Sequence, residues 1–275
     1  MSSELEHEVY LTYKDMESTK ALDPALMSMG VIFFRSRNLA INMMSQEAHE
    51  QKLLPETFFL AVTIFDQYLA TIGDVEASPL TAFACLFLAA KYEEEDVKIF
   101  HMALRLGTTL SKIKEEETRV FEALKYNLGF VSIYTFLNYY TSKIGHPLLS
   151  YEFERGDDLK WALAAEPTLQ EHSSYLYLAE LLCTSQFRKE LPSKLACVAI
   201  YLTRASRGFI PVWDDTLKEL TNYEEEQFQT ILMKLIILLR QEDANSSKML
   251  ITRKYSEYMF HRAAPALLEY VSGSA

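Results

Sequence analysis

The sequence is poor in the residues that interrupt regular structure, since its 275 residues include only eight glycines and eight prolines. It contains no low-complexity stretch and no long linker. With 49% hydrophobic and 24% charged residues, the composition is typical of a folded and mostly helical protein. The length is sufficient for two domains of about 100–150 residues each.

Cysteine is also scarce: there are three, at positions 85, 183 and 197, and no two of them form a C-x-x-C motif. This argues against a structural zinc site and fits a reducing compartment. We therefore expect an intracellular protein, in the nucleus, the cytoplasm or both, because no basic import cluster favours one of them.

Positive charge is in deficit, with 27 Lys and Arg against 38 Asp and Glu and a net charge of −11. Nucleic acid is not expected as the main partner, because binding phosphates requires a basic face. The acidic N-terminus does not resemble a secretory signal. The apolar run from Leu80 to Ala90 is shorter than a membrane span of about 20 residues, so no membrane association is expected.

Catalytic motifs are missing as well. The sequence has no Gly-rich phosphate loop, no H-E-x-x-H and no G-x-S-x-G. Three glutamate runs, at 93–95, 115–117 and 224–226, could in principle hold a cation, but helix-start acids and solvated faces explain them more simply. The six histidines are isolated from one another. We therefore expect no enzyme activity, no cofactor and no metal.

The most informative segment that is present runs from Leu80 to Glu95 and reads LTAFACLFLAAKYEEE. Ser78 and Pro79 before it are suited to the N-cap and the first position of a helix. A helix that is apolar on every side lies in a core. The charges that follow Ala90 must then reach the surface at one defined place, which favours a protein that presents a surface to a partner.

The second half of the chain repeats the sequence pattern of the first half. Pro79 and Pro192 each begin a similar helical segment, and the glutamate runs at 115–117 and 224–226 each precede an apolar helix. Acidic residues stabilise the first turn of a helix, so both runs are predicted to be helix starts. The pattern predicts two similar helical domains, with the boundary between residues 133 and 141.

Two further helices show helical spacing of apolar residues. One face near the N-terminus carries Leu5, Val9, Tyr13 and Met16. This helix lies outside both repeats and must dock either on its own chain or on a partner. A second face, in the second repeat, consists of Phe228, Ile231, Leu232, Leu235, Ile236 and Leu239.

These segments resemble the cyclin family, and most closely its mitotic A/B type. The matching segments are PETFFLAVTIFDQYL (55–69), LTAFACLFLAAKYEE (80–94), ETRVFEALKYNLGFVSIYTFL (117–137), LPSKLACVAIYLTRA (191–205) and ITRKYSEYMFHRAA (251–264). The five signature positions of the cyclin box are all present, as Arg37, Asp66, Leu80, Lys91 and Glu117.

The resemblance implies an all-α fold of tandem cyclin boxes, which are two five-helix domains with an N-terminal helix and a short C-terminal extension. We expect an N-terminal helix region at 1–28, boxes at 29–135 and 136–242, and the extension at 243–275.

The implied function is that of a non-catalytic regulatory subunit. It would bind and allosterically activate a cyclin-dependent Ser/Thr protein kinase, as a heterodimer, in S, G2 or M phase. Two alternatives are a regulator of a transcriptional kinase, which the C-terminal segment disfavours, and a scaffold like a general transcription factor. The acidic charge and the lack of a zinc ribbon disfavour the latter.

The resemblance also assigns roles to residues. Arg37 and Asp66 are implied to form an internal bidentate ion pair. Lys91 and Glu117 are implied to bind backbone groups of the kinase, although the two could instead form an internal salt bridge. The rest of the kinase contact is expected to comprise Tyr92, Glu93, Glu94, Phe121, Tyr126, Leu128 and Val9.

A docking groove for substrates or inhibitors is expected on the first helix of the box, formed by Leu39, Ala40, Met43, Gln46 and Ser78. The family motif there usually reads M-R-A-I-L-V-D-W. In this chain its Met is Ser36, its Trp is Met43, and an acidic position one turn later is Gln46. We therefore expect the binding of basic-hydrophobic docking peptides to be altered or lost.

Overall fold

The computed structural model describes residues 3–19, 31–73, 77–94, 99–145, 159–184, 187, 189–241 and 250–273. Within these ranges the chain forms thirteen α-helices, two short 3-10 turns and no strand, as the all-α prediction required. It divides into two compact units, Met1–Ser132 and Ile133–Ala275. The predicted domain limits at 28/29 and 242/243 lie outside the described residues.

The first unit contains six helices: α1 (Ser3–Thr19), α2 (Val31–Gln51), α3 (Pro55–Ile72), α4 (Pro79–Glu93), α5 (Ile99–Leu106) and α6 (Leu110–Ala123). The second unit contains α7 (Ile133–Lys143), α8 (Leu159–Thr184), α9 (Pro192–Ser206), α10 (Asp215–Thr221), α11 (Gln229–Arg240), α12 (Leu250–Lys254) and α13 (Ala263–Gly273), with 3-10 turns at Glu225–Gln227 and Tyr258–Phe260.

Helix α4 is the centre of the first unit. Its N-cap is Ser78, whose hydroxyl accepts a hydrogen bond from the Leu80 N–H at 3.2 Å, and Pro79 occupies the first helical position. Every residue from Thr81 to Ala90 is buried. The helix packs against α2, α3, α5 and α6. The predicted start and the all-round burial of this helix are both confirmed.

A buried ion pair joins α2 to α3. Arg37 is fully buried, and its Nε and Nη2 each donate to one carboxylate oxygen of Asp66 at 2.6 Å. Two parallel charge-assisted hydrogen bonds fix both the distance and the relative orientation of the two side chains. The bidentate geometry implied by the resemblance is therefore present.

Helix α9 plays the corresponding part in the second unit, with Pro192 at its start and a buried run along its length. The cation at its end is used differently from Lys91. Arg204 is buried, and its guanidinium donates to the Val212 carbonyl at 2.9 Å and to Asp214 at 2.7 Å. In this unit the charge at the end of the core helix secures the following loop.

One of the two predicted acidic helix starts is wrong. Helix α6 begins at Leu110, because the Thr109 hydroxyl accepts from the Lys112 N–H and caps the helix there. The run 115–117 therefore lies in the middle of the helix. The other prediction is confirmed, since Glu224 caps the 3-10 turn that leads into α11 through a reciprocal capping box with Gln227.

The face of α1 that is buried in the structure differs from the apolar face that the sequence predicted. Leu5 is exposed, whereas Tyr10 and Glu17 are buried. Val9, like Tyr13 and Met16, is half-buried. Because this burial arises within a single chain, α1 packs on its own chain, and the face that it buries is centred on Tyr10. The apolar face predicted for α11 is buried, except that Ile236 is half-buried.

None of the helices in the described ranges is both long and apolar enough to cross a membrane.

Candidate partner-binding surface

The candidate surface begins where the burial of α4 ends. Lys91 follows ten consecutive buried residues, and its side chain is 48% exposed. Its ammonium group forms an ion pair with Glu117 of α6, whose side chain is 14% exposed. The ammonium nitrogen also lies 4.3 Å from the centroid of the Phe87 ring. The Lys91 side chain is thus held at one position by a contact within α4 and a second contact with α6.

The alternative that the sequence left open for Lys91 and Glu117, an internal salt bridge, is present in this chain. Such a bridge between partly exposed groups contributes only about 0–1 kcal/mol to stability. The contact with the Phe87 ring adds about 0.5–1 kcal/mol when a cation is solvent-exposed. A partner that offers hydrogen bonds to both charged groups can therefore replace this pair at small cost.

A second bond between α4 and α6 sets the position of Glu117. The carboxylate of Glu116 is buried and accepts a hydrogen bond from the Thr81 hydroxyl at 2.6 Å. It also pairs with Arg119 at 2.6 Å. Burial and the nearby Glu116 carboxylate raise the pKa of Tyr68. Sequence analysis missed this link, although Thr81 is a polar residue at the start of an apolar run and could have indicated it.

Aromatic side chains lie at the C-terminal end of α6. The rings of Phe121 and Tyr126 meet edge to face, with centroids 5.2 Å apart and planes at 89°. Tyr126 is 66% exposed, and Tyr92 is 62% exposed. Leu128, also expected at the surface, is half-buried. Two large exposed tyrosine rings provide the kind of contact area that protein interfaces favour.

The backbone beneath Tyr126 adopts an unusual conformation. Lys125 and Tyr126 have φ values of 53° and 60°, in the left-handed region. The Tyr126 N–H donates to the Phe121 carbonyl at 2.9 Å, which closes the end of the helix. Residues other than glycine are strained there by about 1–3 kcal/mol each, and such strain is concentrated at functional sites. The turn places the Tyr126 ring at the surface.

Glu94 has an intrachain role that sequence analysis did not foresee. Its Oε1 accepts hydrogen bonds from the Leu54 N–H at 2.7 Å and from the Thr57 hydroxyl at 2.6 Å. Helix α3 has Leu54 at its N-cap, a residue that cannot cap it. Glu94 thus supplies the cap from 40 residues away. The missing N-cap side chain before Pro55 was the available signal.

Glu93 lies beside this cap and is half-buried. Burial, and then the negative charges of Glu56 and Glu94, raise the pKa of its carboxyl group. The three acids therefore repel one another at the meeting point of α3 and α4. Among the described residues, no group of three or more His, Cys, Asp or Glu is arranged to hold a metal ion.

The residues predicted to form a docking groove on α2 differ in their exposure. Leu39 and Gln46 are exposed, and Met43 is half-buried. Ala40 is 0% exposed and belongs to the core, so its assignment to the groove is wrong. Its position on α2 faces inward, as that of Ile41 and Met44 does. Ser78 is half-buried and its hydroxyl caps α4.

Comparison with known families gives two adjoining matches. Residues 8–129 match the family described as "Cyclin, N-terminal domain". Residues 131–266 match "Cyclin, C-terminal domain". The chain belongs to the cyclin family. The prediction of two cyclin domains in tandem is confirmed, and the two matches meet close to the division between the two compact units of this cyclin.

Individual relatives of this cyclin are B-type. Cyclin-B2-2 of Oryza sativa subsp. indica is 26% identical over 263 residues, which cover 94% of this chain and 58% of that protein. G2/mitotic-specific cyclin-B of Dictyostelium discoideum is 24% identical over 271 residues, 96% of this chain and 57% of that protein. G2/mitotic-specific cyclin CLB2 of Candida albicans is 26% identical over 223 residues, which cover 79% of this chain and 41% of that protein.

This cyclin therefore spans less than two thirds of the length of these relatives. The similarity to mitotic cyclins, which the sequence motifs indicated, is confirmed at about one identical residue in four over most of the chain.

Proposed function

We propose that this cyclin is a non-catalytic, intracellular regulatory subunit that binds and activates a cyclin-dependent Ser/Thr protein kinase in S, G2 or M phase. The observation that carries the proposal is the position of Lys91. The long buried run of α4 ends at this residue, which is paired with Glu117 across the α4–α6 edge. A rigid core thereby presents two opposite charges side by side at the surface.

On binding, the kinase backbone takes the place of the intrachain partner. The Lys91 ammonium donates to carbonyl oxygens of the kinase, and Glu117 accepts from its N–H groups. Each hydrogen bond to a charged group is worth about 1.5–3 kcal/mol. The exposed salt bridge that is given up is worth about 0–1 kcal/mol. The exchange is therefore favourable. Because both charged groups bind backbone groups, they orient a kinase helix without requiring particular kinase side chains.

The aromatic residues supply the apolar part of the contact. Tyr92 follows Lys91 directly in sequence, and Tyr126 packs edge to face with Phe121 at the end of the helix that carries Glu117. Interface hot spots are enriched in Tyr and are surrounded by polar residues. We assign Tyr92, Glu93, Phe121, Tyr126 and Leu128 to this contact, together with Val9 of α1. Glu94 contributes by holding α3 to the end of α4.

Activation follows from selective binding of one kinase conformation. In an active kinase, a Glu on one helix pairs with the Lys that contacts ATP, and the activation loop is ordered. A subunit that binds this arrangement more tightly than the inactive one shifts the equilibrium towards it. The cyclin provides binding energy and leaves the chemistry to the kinase.

The test is a panel of purified cyclin-dependent kinases, assayed with this chain and a short peptide substrate. The informative variant is the charge swap Lys91→Glu/Glu117→Lys, which keeps an intrachain ion pair but reverses the charges offered to the kinase. We expect the native chain to activate a kinase strongly. The variant should bind that kinase about 100-fold more weakly or worse, because each reversed charge meets a kinase group of the wrong polarity at the interface.

The matched control is the swap Glu190→Lys/Lys194→Glu, a half-buried pair four residues apart in the second unit. It should activate as the native chain does. Activation of a transcriptional kinase alone would favour the alternative assignment to transcription. If no kinase binds, or if the Lys91/Glu117 swap activates normally, the proposal is wrong.

A further inference from the structure

The outward face of α11 carries two large apolar side chains. Met233 and Ile237 are each 53% exposed. They are four residues apart on one helix, so their Cβ atoms lie about 5–6 Å from each other on the same face. Helix α6 packs on the core helix α4 as α11 packs on α9, yet after Leu110 every exposed position of α6 is polar. The two adjacent side chains of α11 therefore form a small apolar patch, which is typical of a contact surface.

The charges next to this patch are positive. Lys234 and Arg240 are exposed, and they lie three residues before and three residues after Ile237. Helix α11 contains no Asp or Glu, although the chain has a net charge of −11. Within the part of the chain that the structure describes, neither cation forms an ion pair. We call Met233, Lys234, Ile237 and Arg240 the α11 stripe.

The two cations differ in what they do for the fold. Arg240 lies in the last turn of α11, where a positive charge stabilises the negative end of the helix dipole. Its Nε donates to the Val271 carbonyl of α13 at 3.3 Å, which orients the guanidinium group and leaves its terminal nitrogens available. Lys234 lies in the middle of the helix, where the dipole gives it no such role. Both charges can therefore serve a ligand.

We propose that the α11 stripe binds an amphipathic helix of a partner protein, one whose apolar side chains are bordered by Asp or Glu. The apolar side chains contact Met233 and Ile237, and the acids pair with Lys234 and Arg240. Anchors at i and i+4 are a common basis of helix recognition, and methionine adapts its shape to different partners. The cations on both sides of Ile237 select an acidic helix over a basic one. This binding does not depend on the proposed kinase contact.

The charges of the stripe disfavour two other occupants. Attachment to an anionic membrane surface through basic residues typically uses about four to eight Lys and Arg, and the stripe has two. A second copy of this chain would offer its own α11, which carries no carboxylate for either cation. An acidic amphipathic helix satisfies both the apolar and the charged side chains.

The test measures binding of two labelled synthetic peptides to the full 275-residue chain by fluorescence anisotropy. Each peptide is about 18 residues long, long enough to form a helix, and has Leu at positions i, i+3, i+4 and i+7. One peptide has Glu beside the Leu stripe, and the other has Lys at the same positions. We expect the Glu peptide to bind at least about tenfold more tightly than the Lys peptide. Added salt should weaken the binding of the Glu peptide.

Two variants locate the binding. Met233→Ser/Ile237→Ser removes the two exposed apolar side chains and should weaken the Glu peptide about tenfold. Lys234→Glu should weaken the Glu peptide about fivefold and strengthen the Lys peptide. Because Lys234→Glu changes a single exposed side chain, it keeps the test valid if the double variant does not fold.

Each variant has a matched control. Met259→Ser removes a methionine of the second unit that is 50% exposed. Lys112→Glu reverses an exposed charge on α6. Both controls should leave the affinities for the two peptides unchanged.

Three results would overturn the proposal: no saturable binding of the Glu peptide, equal affinity for the two peptides, or binding of the Glu peptide that both stripe variants retain. Without peptide binding, two further measurements would assign the stripe to another occupant. Sedimentation with vesicles of phosphatidylserine and phosphatidylcholine, lost in the double variant, would indicate a lipid surface. A native dimer in sedimentation velocity, also lost in that variant, would indicate a second copy.

Kinase activation separates this proposal from the proposed function. Both stripe variants should activate a cyclin-dependent kinase as the native chain does. Absence of activation by the native chain would count against the proposed function and leave the peptide result standing.

Discussion

Glu94 and Thr57 are joined by a hydrogen bond of 2.6 Å between the carboxylate Oε1 and the hydroxyl, and the same oxygen accepts from the Leu54 N–H at 2.7 Å. One carboxylate therefore satisfies two donors at the start of α3 while marking the end of α4. The C-terminal end of α4 and the N-terminal end of α3 are thereby held together. They lie directly beside the surface that we assign to the kinase.

Replacing Glu94 with Ala should lower the free energy of unfolding by about 1–3 kcal/mol, because the Leu54 N–H and the Thr57 hydroxyl at the start of α3 lose the acceptor that they share. Urea unfolding monitored by circular dichroism measures this loss. The neighbouring change Glu93→Gln is the control and should not destabilise the chain, since burial and like charges already raise the pKa of Glu93. Equal losses for the two changes would contradict the capping role.

The buried pair Arg37–Asp66 predicts an asymmetry between single and double substitutions. Asp66→Asn strands a fully buried guanidinium and should cost about 3–5 kcal/mol. The apolar double variant Arg37→Met/Asp66→Leu strands no charge and should cost clearly less than the sum of the single changes. Chemical unfolding of Arg37→Met, Asp66→Leu and the double variant gives the coupling energy, and simple additivity would show that the two side chains act independently.

Tyr126 should behave as a binding residue with little effect on folding. Its ring is 66% exposed, so Tyr126→Ala should leave the free energy of unfolding within about 0.5 kcal/mol. Affinity for the activated kinase should fall by about 2 kcal/mol, roughly 30-fold, as for interface hot spots. Isothermal titration against the kinase measures the loss. Tyr258→Ala is the control; this tyrosine of the second unit is 80% exposed, and the variant should bind normally.

His172 predicts how stability depends on pH. Burial, and then the nearby His261, lower the pKa of the buried His172 imidazole to about 4 from its ordinary value of 6.5. Between these values the unfolded chain binds a proton that the folded chain does not. The contribution of His172 to the free energy of unfolding is therefore fully present above about pH 6.5. It decreases as the pH drops towards 4, by up to about 3 kcal/mol.

The variant His172→Gln should show a flatter decline of stability between pH 7 and pH 4.5 than the native chain. Urea midpoints across this range measure the difference, and the acidic residues common to both chains cancel in the comparison. A parallel decline in the two chains would show that His172 titrates equally in the folded and unfolded states.

The core of the first unit could be predicted because its signals are local. Ser78 and Pro79 specify the start of α4, and the continuous apolar run specifies its burial. The pair Arg37–Asp66 was accessible only through the resemblance, because the two residues are 29 positions apart and nothing near either indicates the other. Local pattern and family motif therefore contributed different parts of the correct interpretation.

What could not be predicted depends on contacts between distant residues. Glu94 caps a helix that begins 40 positions earlier, and Arg105 pairs with Glu50 across 55 positions. A charge in a sequence gives no indication of which distant group it will meet. The start of α6 was misplaced for a simpler reason, because the acidic run is more conspicuous than the single capping hydroxyl of Thr109.

The unbroken burial from Thr81 to Ala90 restricts how this protein can diverge. A helix enclosed on all sides tolerates few substitutions, so the residue that follows it is carried to the same place in every viable descendant. Changes in the proposed kinase contact are then left to the exposed Tyr92 and Tyr126, whose replacement does not disturb the buried helix. The place of the contact is therefore expected to diverge more slowly than its chemistry.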